Sequence, residues 1–193
     1  MTLLDGLAEF AASLDTATLP PPVRASVAQR VLDIVGVSIA ATALPTSAAV
    51  IAHAHEQGGA GHAWAIGAEA PLPAPSAAFV GGVLAHSLDY DDTHLPSVLH
   101  PSASVVPAAI AAAQYAGRSG SDVVSAIAAG LEICVRLGMA GYDAGARDSL
   151  YFRRGQHATS ICGAIACAAT AARLIGLGTD GIGHAMGLAV SMG

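Results

Sequence analysis

Apolar residues return every third or fourth position over most of this chain, the period of helices buried along one face. Leu3, Leu7, Phe10 and Leu14 keep that step behind Thr2, a side chain suited to capping a first helix. The stretch "LPPPVRASVAQRVLDIVGVSIAATALP" opens on prolines that favour a helix start and closes at Pro45, with Val23, Val27, Val31 and Ile34 along one face. A third helix is expected over 47–57, stopping at Gly58 and Gly59. "HAWAIG" is too short to anchor a sheet, and "EAPLPAP" reads as a loop. Ser76 then stands where it would cap a helix through "AAFVGGVLAHSLDYDD". Helices over about 103–116, 121–137 and 159–175 follow, and Thr179 begins another. The expected fold is all-α: seven or so helices joined by short Gly/Pro turns, forming a single domain over residues 1–193.

Composition narrows what such a bundle does. Only 11% of the 193 residues are charged and 53% are hydrophobic, so most of the chain must be buried, in its own core or against a partner. Net charge is −6, and all eight cationic side chains are arginine, with no lysine. No nucleic-acid partner is expected, because neutralising phosphates takes clustered cations. Cys134, Cys162 and Cys167, an odd number without close pairs, suit a reducing compartment and small apolar roles in helix contacts. The uncharged windows 34–52 and 155–172 approach membrane-span length, but Pro45 breaks the first and His157 opens the second. Both are rich in Ala, Gly, Ser and Thr, so buried helices are expected and no membrane. The opening "MTLLDGLAEF" carries Asp5 and Glu9 where a signal peptide needs positive charge, which makes a cytoplasmic location the expectation.

One stretch breaks the apolar pattern. Residues 86–100, "HSLDYDDTHLPSVLH", hold three Asp, one Thr and three His. On a continued helix His86, Asp89 and Thr93 share a face, Asp92 lies beside them and Asp91 is turned away. His100 would come from a loop before Pro101. A second polar knot, "FRRGQHATS", places Arg153, Arg154 and His157 before the next apolar helix. Three chemistries compete. His86, Asp89 and Asp92 have helical metal-ligand spacing, but no H-x-x-x-H or cysteine pair supports them. "DYDD" fits an acid motif of terpene cyclases, whose carbocations need aromatic walls that one Trp, three Phe and four Tyr do not supply. The third is proton transfer on a small carboxylic acid, which imidazoles perform well at neutral pH. Taken singly, each residue also has an ordinary reading: a helical Asp is commonly solvated or capping, and His53, His55, His62, His86, His94 and His184 read as structural.

The blocks "LAHSLDYDDTH", "HPSASVVPAAIAAA", "AGLEICVRLG", "GQHATSICGAIACAATAARLIGL" and "HAMGLAVSMG" follow one another in the order and spacing of the MmgE/PrpD family, which the chain resembles over almost its whole length. The resemblance implies a helical N-terminal domain, a homodimer, and an enzyme working without metal or organic cofactor. It implies dehydration, decarboxylation or epimerisation of a small di- or tricarboxylate such as 2-methylcitrate or cis-aconitate. The family's site residues fall by motif on Asp89, Thr93, His100 and His157. His100 would move the proton at the substrate carbon, Asp89 and Thr93 would orient it and the substrate, and His157 would complete the carboxylate pocket.

Two features depart from the pattern. Where the family commonly reads F-H-P-T-G, this chain reads Gln156-His157-Ala158-Thr159-Ser160. Family members are also longer, their second half adding an α+β lid domain with lysines that this chain lacks. A tricarboxylate beside several aspartates needs cations to offset its desolvation, and the chain is expected to offer only Arg153 and Arg154 nearby. The expectation is that the chain alone is catalytically incomplete, with a second chain carrying the lid half as a partner. The alternative is an inactive relative serving as a helical binding or dimerisation module.

Overall fold

The computed structural model describes residues 2–192, and among them nine α-helices carry nearly all the regular structure. Helix α1 (Leu3–Ser13) starts at a reciprocal cap: Thr2 Oγ1 accepts the Asp5 N–H at 3.2 Å and Asp5 Oδ2 accepts the Thr2 N–H at 2.7 Å. Helices α2 (Pro21–Ala41) and α3 (Pro45–Gln57) each begin on proline, whose missing N–H costs nothing in a first turn, and they meet at 97°. That bend interrupts the first of the two uncharged windows. On α2, Val27 and Ile34 are buried as the periodicity requires, whereas Val23 is exposed.

Helix α4 spans Ala74–His86 with Pro73 at its N-cap, so Ser76 lies inside its first turn and caps nothing. It ends six residues earlier than the pattern predicts. The Asp89 N–H donates to the His86 carbonyl, closing the last turn, and Asp89 takes a left-handed φ of 55° that a helix cannot continue through. A single 3₁₀ turn at Leu95–Ser97 leads into α5 (Pro101–Ala116). Helix α6 (Gly120–Ala140) has a second reciprocal cap, between Ser119 and Asp122. A two-residue hairpin, β1 (Tyr142–Asp143) with β2 (Asp148–Ser149), and the one-turn helix α7 (Leu150–Arg153) come next; neither carries a periodic signal in the sequence. Helices α8 (Ala158–Leu174) and α9 (Gly178–Met192) complete the array.

Helices α5 and α8 are the central pair, with α4 along α5, α6 against both, and α9 joining α8 to α1. Small residues set these crossings. A Cβ on Gly130 of α6 would strike Thr170 of α8 and Val105 of α5, and one on Gly81 of α4 would stand 2.8 Å from Pro107 Cβ. Around them Val105, Val106, Ile127, Ile133, Leu174, Ile182 and Met186 form the main core. Helix α6 is long and apolar enough to cross a bilayer, but half of its apolar window is buried against its neighbours. Cys134, Cys162 and Cys167 are unpaired; burial pushes all three thiols up, Cys167 to about 11, so none is a ready nucleophile at neutral pH.

Candidate active site

The polar cluster forms where α4 stops and α5 starts. Leu99 and Pro101 are fully buried on either side of His100, so the backbone is pinned and the imidazole, 22% exposed, looks outward. Gly138 of α6 makes room for this anchor: a Cβ there would lie 2.5 Å from Leu99 Cδ2 and 2.7 Å from Ser97 Cβ. His94 closes the same loop, pairing with Leu99 through the backbone and with Ser97 Oγ through Nδ1 at 2.7 Å, so its role is structural.

Around His100 stand two of the expected partners, Asp89 and Thr93, and one group of a residue expected to turn away, the Asp91 carbonyl. His100 Nδ1 is 3.4 Å from Thr93 Oγ1 and 3.4 Å from the Asp91 carbonyl, and its Nε2 is 3.8 Å from Asp89 Oδ1. These are loose contacts, of the kind that tighten when substrate orders a site. Asp89 holds an 80% exposed carboxylate at the rim. His157 is the N-cap of α8, exposed, with its ring centroid 6.3 Å from that of His86 and 5.9 Å from that of Phe152. Asp89, Thr93 and His100 are therefore brought together, and His157 stands across His86 from them.

Two residues given structural readings by the sequence join the cluster. Asp91, which a continued helix would turn away, has a side chain with no exposure; its Oδ2 and Oδ1 lie 3.0 and 3.1 Å from His86 Nδ1. The rings of His86 and His100 are 5.0 Å apart. Asp92, the third residue of the helical metal spacing, is engaged elsewhere. It pairs with Arg30 and accepts the Ser102 N–H at 3.0 Å and the Ser102 O–H at 2.8 Å, capping α5. The four groups that converge on one point are His86, Asp89, Asp91 and His100, all within 4.8 Å of one another, a donor set able to ligate a divalent cation.

Arg153 does not face this cluster. Its guanidinium lies 3.4 Å from Asp143 and 3.2 Å from Asp148, bracing the hairpin, and Arg154 beside it is exposed. Adjoining His86 is a cavity of about 640 Å³ lined by Phe79, Val83, Ser104, Thr159 and Cys167, large enough for a small organic acid. Its walls are mostly apolar, with Ser87, Ser104, Thr159 and Ser160 joining His86 among the polar lining residues.

The model of the MmgE/PrpD N-terminal domain matches residues 5–193. The cis-aconitate decarboxylase of Homo sapiens is 36% identical over 124 residues, covering 62% of this chain and 24% of the relative. That of Mus musculus is 35% identical over 124 residues, with coverage of 62% and 24%. That of Aspergillus terreus is 31% identical over 119 residues, with coverage of 59% and 23%. The matched stretch thus spans about a quarter of the length of these curated relatives.

Proposed function

The chain belongs to the MmgE/PrpD family, and from that premise we propose that it carries the imidazole and carboxylate part of a cofactor-independent lyase site for a small di- or tricarboxylate. The observation that carries this reading is the seat of His100. Its backbone is locked between buried neighbours, its Nδ1 faces Thr93 and Asp91, and its Nε2 is turned toward the exposed Asp89. An imidazole so held exchanges a proton with a substrate carbon while the hydroxyl and carboxylate beside it orient both partners. The names of the relatives favour cis-aconitate, and 2-methylcitrate is the dehydration counterpart.

Charge extends the proposal to a partner. Arg30 is committed to Asp92, and Arg153 to Asp143 and Asp148, which leaves Arg154 as the nearby cation without an ion pair among the described residues. Several substrate carboxylates next to Asp89 and Asp91 need more positive charge than that. The proposed working enzyme is therefore an assembly in which a second polypeptide, or a further segment of the same protein, brings cations over the face that holds His100; a homodimer of such assemblies is part of the reading.

The test is turnover of cis-aconitate and 2-methylcitrate, followed by proton NMR, for the chain alone and together with the product encoded immediately downstream. Activity that needs the second component and is lost in His100→Ala supports the reading. Equal activity in His100→Ala removes His100 from the mechanism. A folded chain inactive in every combination favours a binding or dimerisation module instead.

A further inference from the structure

We propose that Asp91 is the shared positioning residue of two imidazoles and that His86 is a second proton-transfer group beside His100. The inference deepens the lyase reading and rests on it for its catalytic part, while its structural part stands on its own.

A carboxylate with no solvent contact must be satisfied by protein donors. The Asp91 carboxylate is bonded by His86 Nδ1, 3.0 Å from Oδ2 and 3.1 Å from Oδ1, while its main-chain carbonyl lies 3.4 Å from His100 Nδ1. A neutral imidazole carries one N–H, and an ionised carboxylate or a main-chain carbonyl only accepts, so each ring facing Asp91 through Nδ1 is held in the Nδ1–H tautomer. Each then presents a bare Nε2. For His100 that atom faces Asp89 Oδ1; for His86 it has no hydrogen-bond partner among the described residues, and the ring lines the 640 Å³ cavity. The two rings, tilted by 59° with centroids 5.0 Å apart, thus offer two acceptors of the same tautomer to one substrate. In a dehydration Nε2 takes the proton from the substrate carbon as the C–O bond breaks and the C=C bond forms, the resulting imidazolium keeps its Nδ1–H on Asp91, and the proton is then passed to the departing hydroxide, which leaves as water.

The two anchors differ in what a substitution removes. Asp91→Leu, of similar size, deletes both acceptors of the His86 Nδ1–H, while the main-chain carbonyl that faces His100 Nδ1 remains.

Long-range ¹H–¹⁵N correlation of the imidazoles, at a pH where both are neutral, tests this without substrate. In the wild-type chain His86 and His100 are expected as Nδ1–H tautomers, and Asp91→Leu is expected to convert His86 to Nε2–H while His100 keeps its Nδ1–H. A wild-type His86 in the Nε2–H form overturns the proposal, as does an unchanged His86 tautomer in a folded Asp91→Leu. Should Asp91→Leu not fold, the wild-type spectrum alone decides the anchoring. In whichever assembly turns over substrate, His86→Gln is expected to lower kcat by about 10²-fold with KM little changed, the loss typical of removing a general acid or base. Full kcat in His86→Gln overturns its catalytic role while leaving the lyase reading intact; failure of that reading appears instead as activity that survives His100→Ala.

Discussion

The backbone N–H of His100 donates to Thr159 Oγ1 at 3.1 Å, joining two polar knots that lie 59 residues apart in sequence. Thr159 is buried in the first turn of α8, two residues after His157. The bond therefore fixes the start of α5 to the start of α8, and with them the two histidines at those helix starts. Thr159→Val, of equal shape, leaves a buried N–H without its acceptor, which costs about 1–3 kcal/mol. The expected result is a lower midpoint in urea unfolding and reduced turnover by the assembled enzyme, both largely restored in Thr159→Ser.

Asp92 supports the site without taking part in its chemistry. It satisfies the Ser102 N–H in the first turn of α5 and pairs with Arg30 from α2. Asp92→Ala removes the cap and leaves Arg30 unpaired, a loss of roughly 1–2 kcal/mol on the scale of helix caps. Chemical denaturation should show that loss, and the His86 tautomer should stay as in the wild type. A changed tautomer would move Asp92 into the site.

Gly138 acts on His100 from a distance. Gly138→Ala puts a methyl group against Leu99 and Ser97, the residues that seat the imidazole's backbone. Overpacking of this kind costs about 1–3 kcal/mol. The expected outcome is a chain that keeps its helical circular dichroism, loses stability, and shows a shifted His100 ring resonance although no polar residue has been altered.

Two helix caps give stability a dependence on acid. Hydrogen bonds from the Ser119 hydroxyl and N–H hold the Asp122 carboxyl below the usual carboxylate range, and bonds from the Thr2 N–H and hydroxyl do the same for Asp5. Because the folded values are lowered, the contribution of both caps is present above the unfolded carboxylate pKa of about 4 and is lost as pH falls through the folded values. Thermal midpoints taken from pH 6 to pH 2.5 should fall at the acid end, and Asp5→Asn combined with Asp122→Asn should flatten that part of the curve. An unchanged slope in the double variant would assign the acid sensitivity to other carboxylates.

The convergence of His86, Asp89, Asp91 and His100 within 4.8 Å makes a chelator experiment informative. Proton transfer by imidazoles needs no ion. Dialysis of the active assembly against EDTA is expected to leave turnover unchanged, and added Zn²⁺ to inhibit by occupying the Nε2 and carboxylate groups. Activity lost to EDTA and regained with Zn²⁺ would make the same four residues ligands instead.

The helices were legible because their signals are local. Thr2 and Ser119 cap as hydroxyl residues do ahead of acidic third positions, prolines open α2, α3 and α5, and the three-to-four step of apolar residues runs through each core face. The end of α4 was not legible. Leu88 keeps the apolar step going, and what stops the helix is tertiary: Asp91 turns back to His86, and Asp92 reaches Arg30 on α2 and Ser102 on α5. A face drawn on a continued helix therefore turned Asp91 outward, where the structure buries it. The motif resemblance named Asp89, Thr93, His100 and His157 independently of that face, and the first three lie together although α4 stops before them. Arg153 looked available because Asp143 and Asp148 read as loop acids until the hairpin brings them to it.

Helix α8 carries His157 at its first end, and near its last Arg173 donates to the Ala11, Ala12 and Leu14 carbonyls where α1 finishes, and to Ser125 Oγ at 3.0 Å. Its 17 residues make a rod about 25 Å long. Pivoted at the guanidinium, such a lever swings its far tip by roughly 1 Å for a tilt of about 3°, a misplacement that costs on the order of 10²-fold in rate when it falls on a reacting group. The first helix of the chain, which supplies none of the cluster's side chains, is thereby the mechanical footing of the helix that carries His157.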